Sequence, residues 1–423
     1  MAGLPAITPM PPSVGGLPRI GAGLPLLWDP TSFFARARRK HGDTFVTDAF
    51  GFRLLCLFSP EGVKSLYALE EKNASFGLAT YTLIKFKMPE ELLFGRRVTP
   101  HQLFGRELTE TYVQALDDAM TAELAGLGSS GTFEVFAEAR RIAHRLGLSS
   151  WGGPEMTKRL EELMPLMDAM DSAEAFVRPV QAFRTAATKQ KREKAAMLQV
   201  DRIVGEVLAA APPEGFLSEI AKAWDDTEEP ERTVGIARDL VLIHLGSLSN
   251  LYAALSWTIV NLLQRPDLLA QVKAGDDTLL EQCANESIRM AQRSITLRQV
   301  LRPVEISDGE RTYTAAPGSF ITTMLSVTNT TAAPGLETFD PTHYNQRRLA
   351  VDLPAKELVS TFGHKWHTCP ASRFSITAIR IAVRRLLEAY ELEPLFTEVT
   401  PRKQQIGGIS RASKPVRVRY RKR

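Results

Sequence analysis

The chain has 423 residues, 44% hydrophobic and 24% charged, with a formal net charge of +4 and 3 cysteines. That balance belongs to a folded globular protein with a large core, and it excludes global disorder, a repetitive architecture and a disulfide-stapled secreted scaffold. The positive charge collects in residues 401–423, where nine Lys or Arg occur without a single Asp or Glu. A basic tail on a mildly acidic body lacks the patterned footprint of a nucleic-acid-binding module.

Seven prolines fall in the first thirty residues, too many for the continuous apolar helix of a secretory signal, so the expected location is cytoplasmic. The pattern then predicts a helix over 32–41, strands over 44–49 and 52–58 separated by Gly51, and a helix over 60–69. Residues 73–98 read as a long irregular loop, a kind of segment that is often functional. Helices follow over 103–127, 133–148, 155–176, 181–211 and 216–224. Residues 240–264 hold no Asp, Glu, Lys or Arg and are long enough to span a membrane. They also hold His244, Gly246, Ser247, Ser249, Asn250, Ser256 and Asn261, which are costly in lipid without partners. With helical pattern continuing from 232 to 265, the segment is expected to run through the middle of a soluble protein and not to cross a membrane.

Beyond it come helices over 267–272 and 278–292, short strands including 311–313 and 319–325, and a last helix over 371–390. Val416, Val418 and Tyr420 alternate with Arg417 and Arg419, the mark of a half-buried final strand. The expectation is a single mainly α domain with a minor β part over 1–423, after a Pro-rich stretch at about 1–30.

The sharpest chemical cluster is FGHKWHTCPA, 362–371, just before the last helix. A thiolate at a helix N-terminus is stabilised by free N–H groups and the helix dipole, so Cys369 could ligate a metal or act as a nucleophile. It could equally be a buried structural cysteine. His364, His367 and Cys369 offer zinc-type donors but lack a fourth ligand. Glu286 and Arg289 lie one turn apart on a predicted helix and can pair, although E-x-x-R alone occurs by chance in a chain this long.

The ordering of these features resembles one family. A long polar-interrupted helix, then Glu286-x-x-Arg289, then Arg298, then FDPTHY at 339–344, then a cysteine loop before a helix is similar to the cytochrome P-450 haem-thiolate enzymes. Their loop runs F-x-x-G-x-[RH]-x-C-x-[GA], which Phe362, His367, Cys369 and Ala371 fit; Lys365 stands where the family has its glycine. LPRIGAGLPLLWDP and HGDTF resemble the usual N-terminal segment and first strand. SNLYAALSW, aligned on Trp257, is similar to the central helix of the prostacyclin synthase and bile-acid hydroxylase branches, and puts Asn250 at the usual threonine position. Tyr81, Lys87, Met88, Pro89, Phe94 and Gly95 are faintly similar to sterol 14-demethylases.

The resemblance implies a triangular, mainly α fold binding heme b, with Cys369 as axial ligand of the iron and Phe362 in the cofactor-binding loop. Arg298 and His367 would pair as cations with the propionates. Glu286, Arg289 and His343 would form the structural network that supports the cysteine loop, and Gly246, Ser249 and Asn250 would line the oxygen side. Substrate contacts are expected from 81–93, 294–297 and 406–409. The implied activity is a monooxygenase hydroxylating a hydrophobic small molecule such as a lipid, sterol or secondary metabolite, fed by a ferredoxin or flavodoxin that Arg373, Arg380, Arg384 and Arg385 could attract. The missing threonine leaves open a haem-dependent isomerase or dehydratase, which would need neither O₂ nor a reductase.

Overall fold

Helix ends in the first part of the chain follow from local capping chemistry. A short helix α1 (Gly23–Trp28) leads into α2 (Pro30–His41), where Asp29 accepts from the Ser32 N–H and Pro30 occupies the first turn. Gly42, at φ +87°, ends it. Ser59 likewise caps α3 (Pro60–Ala68) by accepting from the Gly62 N–H at 3.0 Å. The computed structural model describes residues 4–17, 20–85, 87–105, 109–171, 184–347, 349 and 352–423. Parts of the helices expected over 103–127, 155–176 and 181–211 lie outside those residues, as do residues 18–19 and 86 of the family-like segments.

The helices continue as α4 (Phe76–Ile84), α5 (Glu90–Leu93), α6 (Pro100–Leu103), α7 (Thr109–Leu127), α8 (Val135–Thr157), α9 (Leu160–Met170), α10 (Lys191–Ala210) and α11 (Gly215–Lys222). Then come α12 (Glu231–Leu263), α13 (Pro266–Lys273), α14 (Asp277–Ala291), α15 (Leu325–Thr331) and α16 (Ser372–Ala389). The strands are β1 (Ile7–Thr8), β2 (Ser13–Val14), β3 (Thr44–Ala49), β4 (Phe52–Leu57), β5 (Ala74–Ser75), β6 (Ser130–Glu134), β7 (Ile295–Val300), β8 (Val304–Ser307), β9 (Thr312–Ala315), β10 (Phe320–Met324), β11 (Tyr390–Pro394) and β12 (Arg417–Lys422). The protein is mainly helical with minor sheets, as its pattern predicts.

Two compact units are built from interleaved segments, so no linker divides the chain into successive domains. Unit one comprises Met1–Ile84, Ile288–Cys369 and Pro401–Ser410; unit two comprises Lys85–Ser287, Pro370–Thr400 and Arg411–Arg423. Unit one is organised by a sheet of order β2-β3-β4-β10-β7-β5 and a second of order β1-β9-β8. Antiparallel pairing of β7 with β10 sets Arg298 opposite Ile321. Phe34, Phe45 and Phe58 pack their rings on one side of this sheet, with Phe45 and Phe58 stacked at 5.8 Å.

In unit two, α12 lies against α8 and α16 against α7. The aromatic cluster Trp151, Phe216, Phe374 and Tyr112 fills the space around them, with Trp151 and Phe374 centred 4.7 Å apart. A sheet of order β11-β12-β6 closes the unit, and Val418 and Tyr420 are buried while Arg417 and Arg419 are exposed. α12 has a stretch long and apolar enough to cross a membrane, and 78% of that window is buried inside the protein.

Several local expectations differ from the structure. Residues 73–98 contain β5, α4 and α5 where a loop was expected. α4 starts on a local cap, Ser75 Oγ accepting from the Leu78 N–H at 2.8 Å, and Glu71 reaches over β5 to accept from the Phe76 and Gly77 N–H groups, each at 2.9 Å. Residues 130–134 form strand β6 through non-local pairing with β12. α8 runs past the expected end at 148 and bends at Gly153, φ +72°, before Pro154.

Burial of α12 predicts a hydrogen-exchange pattern. Its amides over 236–260 should be among the slowest to exchange, and those of α13 and the 401–410 segment among the faster; mass-spectrometric exchange on the full chain checks this.

Candidate functional site

The cysteine loop in unit one hangs from a buried arginine. Arg289 is fully buried on α14 and donates from Nη1 to the carbonyls of Asn329 (2.5 Å) and Leu336 (2.7 Å) and from Nη2 to that of Thr338 (3.0 Å). Asn329, also fully buried, donates from Nδ2 to the carbonyls of Arg289 and Ser360, each at 3.1 Å, and its Oδ1 accepts from the Ser360 N–H at 2.8 Å. Ser360 Oγ then accepts from the Gly363 N–H at 3.0 Å, and the Cys369 N–H donates to the Phe362 carbonyl at 2.6 Å. A relay of fully used donors and acceptors thus runs from Arg289 to Cys369. Asn329 was not among the residues singled out from the sequence, because a lone Asn on a short helix carries no motif.

The loop turns twice through left-handed backbone. Gly363 has φ +79°, and a Cβ there would fall 2.1 Å from the His367 carbonyl oxygen. Lys365 has φ +52°. The lysine at the family's glycine position adopts the left-handed conformation itself, at a steric cost of about 1–2 kcal/mol. His364 Nε2 lies 2.9 Å from the Val359 carbonyl, with its ring edge-on to Tyr67. Among the described residues no group of three or more His, Cys, Asp or Glu comes together, so the zinc-type set does not assemble. All three cysteines are free. Burial raises the pKa of Cys56 and pushes Cys283 up to about 12, whereas Cys369 is half-buried in the loop.

Arg298 lies on β7 with its side chain fully buried, yet Nε, Nη1 and Nη2 all lack a hydrogen-bond partner. Its charged neighbour Glu71 stands 3.6 Å away, half in solvent. Burial lowers the Arg298 pKa against the opposing pull of Glu71. His367 Nε2 is a second buried donor without a partner. Burial, with the nearby Arg298 charge, pushes His367 down to about 4, so at neutral pH it offers a neutral N–H and not the second cation expected. A buried guanidinium that makes no hydrogen bond and has only the half-exposed Glu71 as counter-charge, with an imidazole Nε2 that also makes none, fits a cofactor carrying carboxylates in the unit that holds Cys369. Phe362 is half-buried in the same loop.

His343 is buried on the 3-10 turn Pro341–Arg347, and Glu286 is fully buried one turn before Arg289 on α14. Two expected substrate segments meet within unit one: Arg293 N–H donates to the Gly408 carbonyl at 2.8 Å, and Gly408 N–H to Ser294 Oγ at 3.1 Å. The expected segment 81–93 corresponds to the end of α4, α5 and the residues between.

Unit two carries the polar residues of α12. The helix runs from Glu231 to Leu263 with helical backbone throughout. Gly246 and Asn250 are exposed one turn apart, and a Cβ on Gly246 would meet nothing within 4 Å; Ser249 beside them is buried. His244 points elsewhere. Its Nε2 lies 3.0 Å from His144 Nδ1 on α8, and His144 Nε2 lies 2.9 Å from Asp168 Oδ1 on α9. Arg140 Nε also donates to Asp168 Oδ1, at 2.7 Å. Burial opposes ionisation of Asp168, but His144 and Arg140 overcome it and bring the carboxyl down to about 2. Burial, with the His144 and Arg140 charges, drives His244 well below its ordinary value. A Cβ on Gly147 would fall 2.9 Å from both His244 Nδ1 and Trp151 Nε1, so glycine is what lets α8 approach α12 there.

The basic face expected on α16 is largely neutralised. Arg380 pairs with Asp277 at 3.0 Å and Glu281 at 3.2 Å, Arg384 pairs with Asp277, and Arg385 Nε donates to Asp117 at 2.7 Å. Arg373 alone of the four is exposed without such a pair.

No protein-family model matches the chain. Over most of its length it is similar to curated hydroxylases: 24-hydroxycholesterol 7-alpha-hydroxylase of Homo sapiens at 22% identity, covering 91% of this chain and 88% of that protein. Abscisic acid 8'-hydroxylase 2 of Oryza sativa subsp. indica is 23% identical over 91% of this chain and 81% of its own. Cytochrome P450 monooxygenase pyvB of Aspergillus violaceofuscus is 24% identical over 61% of this chain and 55% of its own. Such distant matches, together with the mainly helical fold, support assignment to the cytochrome P450 superfamily and to no particular branch of it.

Two outcomes are expected. Replacing Arg289 by Met strands the carbonyls of Asn329, Leu336 and Thr338 and should cost about 3–5 kcal/mol in urea unfolding; Lys cannot reach all three and should restore little. The His244 imidazole is held neutral when folded but titrates near 6.5 when unfolded, so its contribution is complete above about pH 6.5. It is lost as pH falls, at about 1.4 kcal/mol per unit. His244→Gln should flatten that slope between pH 6.5 and 5.

Proposed function

We propose that the chain is a cytoplasmic haem-thiolate monooxygenase that hydroxylates a hydrophobic small molecule. The observation that carries this reading is the fully buried Arg298 guanidinium, whose three nitrogens make no hydrogen bond, in the unit that holds the Cys369 loop. Cys369 would hold the iron of heme b, Arg298 and His367 would hold its carboxylates, and Phe362 would pack in the same loop. Bound in that way, haem supplies the oxidising chemistry, with electrons from a ferredoxin or flavodoxin.

The chain's own residues orient, exclude and donate. Arg289 and Asn329 fix the loop so that the thiolate does not wander. The 294–297 and 406–409 segments, bonded to each other, would contact the substrate as one wall. Likeness of the central helix to lipid- and sterol-handling branches supports a substrate of that kind. α12 is read as a core helix that does not span a membrane, and no nucleic-acid partner is expected.

Asn250 supports a second reading. With Gly246 it occupies the open face of α12, and its amide can donate and accept but relays a proton less readily than a hydroxyl. A haem-dependent isomerase or dehydratase would use it to position a substrate oxygen.

Two measurements test these readings. In haem transfer to an acceptor globin, Arg298→Leu should lose haem about ten- to a hundredfold faster, the worth of one or two charged hydrogen bonds; an unchanged rate contradicts the cofactor assignment. Once a substrate is found by haem-absorption screening, turnover should require O₂ and reductant. Product formed under argon without an electron donor favours the second reading.

A further inference from the structure

We propose that Tyr67 is a positioning residue for the cofactor, tying the loop that carries Cys369 to the strand that carries Arg298. The inference rests on the haem-thiolate reading above. Tyr67 lies on α3 within unit one, 2% exposed, in a largely aliphatic cluster that includes Val63, Leu66, Ile321 and Leu358. Phenylalanine would fill that space as well, so packing does not explain the hydroxyl. A hydroxyl removed from water needs partners.

The partners stand on either side of the phenol. On β7, Tyr67 Oη lies 3.3 Å from Thr296 Oγ1. Thr296 and Arg298 are two residues apart on that strand, so their side chains share a face, and the Arg298 charge is close enough to act on the phenol. On the loop side, Tyr67 has the Ser360 side chain as a hydrogen-bonding neighbour, and its ring stands edge-on to His364 with centroids 5.1 Å apart. Ser360 is where the relay from Arg289 enters the loop, its Oγ accepting from the Gly363 N–H at 3.0 Å. His364 is itself held, Nε2 lying 2.9 Å from the Val359 carbonyl.

Burial raises the Tyr67 pKa against the opposing pull of Thr296, Ser360 and the Arg298 charge, so the phenol keeps its proton at neutral pH. A neutral phenol has one hydrogen to donate and lone pairs to accept with, so it can serve a hydroxyl on each side. A rigid cofactor gripped at two points needs them at a fixed spacing, to within about 0.5 Å. Tyr67 supplies a cross-tie between the two grips that is independent of the cofactor itself.

The test combines haem transfer to an acceptor globin with the spectrum of the reduced carbon monoxide complex, on the full-length holoprotein. Tyr67→Phe keeps the ring and removes only the hydroxyl; it should lose haem about two- to tenfold faster, the worth of one neutral hydrogen bond. It should also convert part of the red-shifted thiolate band to the band of the protonated thiol. Thr296→Val should reproduce both changes, and Thr296→Ser should behave as the wild type. In the Arg298→Leu background the further effect of Tyr67→Phe on haem loss should shrink to about twofold or less, because the tie then has nothing to hold. An undiminished effect in that background would mark Tyr67 as general packing and overturn the proposal. Should Tyr67→Phe fail to fold, the Thr296 pair decides, and equal behaviour of Thr296→Val and Thr296→Ser overturns it. A wild-type protein that takes up no haem overturns the underlying reading and this inference with it. A haem-binding protein indifferent to Tyr67→Phe and Thr296→Val overturns this inference alone.

Discussion

A guanidinium fully removed from water must find acceptors, and Arg289 takes three backbone carbonyls that no strand or helix uses. That requirement organises the irregular half of unit one. Residues 329–338 are drawn onto α14, and Asn329, held in place by Arg289, carries the order on to Ser360 and Gly363. The strained Lys365 and the close approach at Gly363 are tolerable because the loop's entry and exit are both pinned, the latter by the Cys369 N–H on the Phe362 carbonyl. A thiolate that must meet a metal from one direction needs this kind of support.

Unit two solves a different problem with the same chemistry. α12 passes through its core with polar residues that would otherwise be unsatisfied. His144, itself held by Asp168, meets His244 Nε2, while His244 Nδ1 makes no hydrogen bond; Ser256 and Thr258 each donate to a carbonyl four residues earlier in the helix. Gly147 and Gly235 allow close packing, the latter under the Trp224 ring. Gly246 does not serve packing, since nothing stands within 4 Å of where its Cβ would be. The polar stretch therefore divides into a half buried between helices and a half, Gly246 and Asn250, that is exposed.

Much of this was legible in the sequence, for identifiable reasons. Helices with strong 3.6-residue periodicity and local caps, such as α2 and α12, were readable to within a residue or two at most ends, and the β3–β4 hairpin was readable from its Gly51 turn. The cysteine loop and Arg289 were readable from spacing together with order. Legibility failed where structure depends on partners distant in the chain. Strand β6 exists through β12, and the ion pairs that neutralise Arg380, Arg384 and Arg385 come from α7 and α14. The roles of His244 and Asn329 were hidden for the same reason, since one polar residue on a helix does not announce which neighbour it meets.

The claim on which the account turns is that Cys369 is a thiolate ligand to haem, held by the Arg289–Asn329 relay. It is tested most directly by the absorption spectrum of the purified, reduced protein under carbon monoxide. The account predicts a strongly red-shifted Soret band in the wild-type protein and its absence in Cys369→Ser. A spectrum of bis-histidine haem, or a red-shifted band that survives the Cys369→Ser substitution, would contradict it.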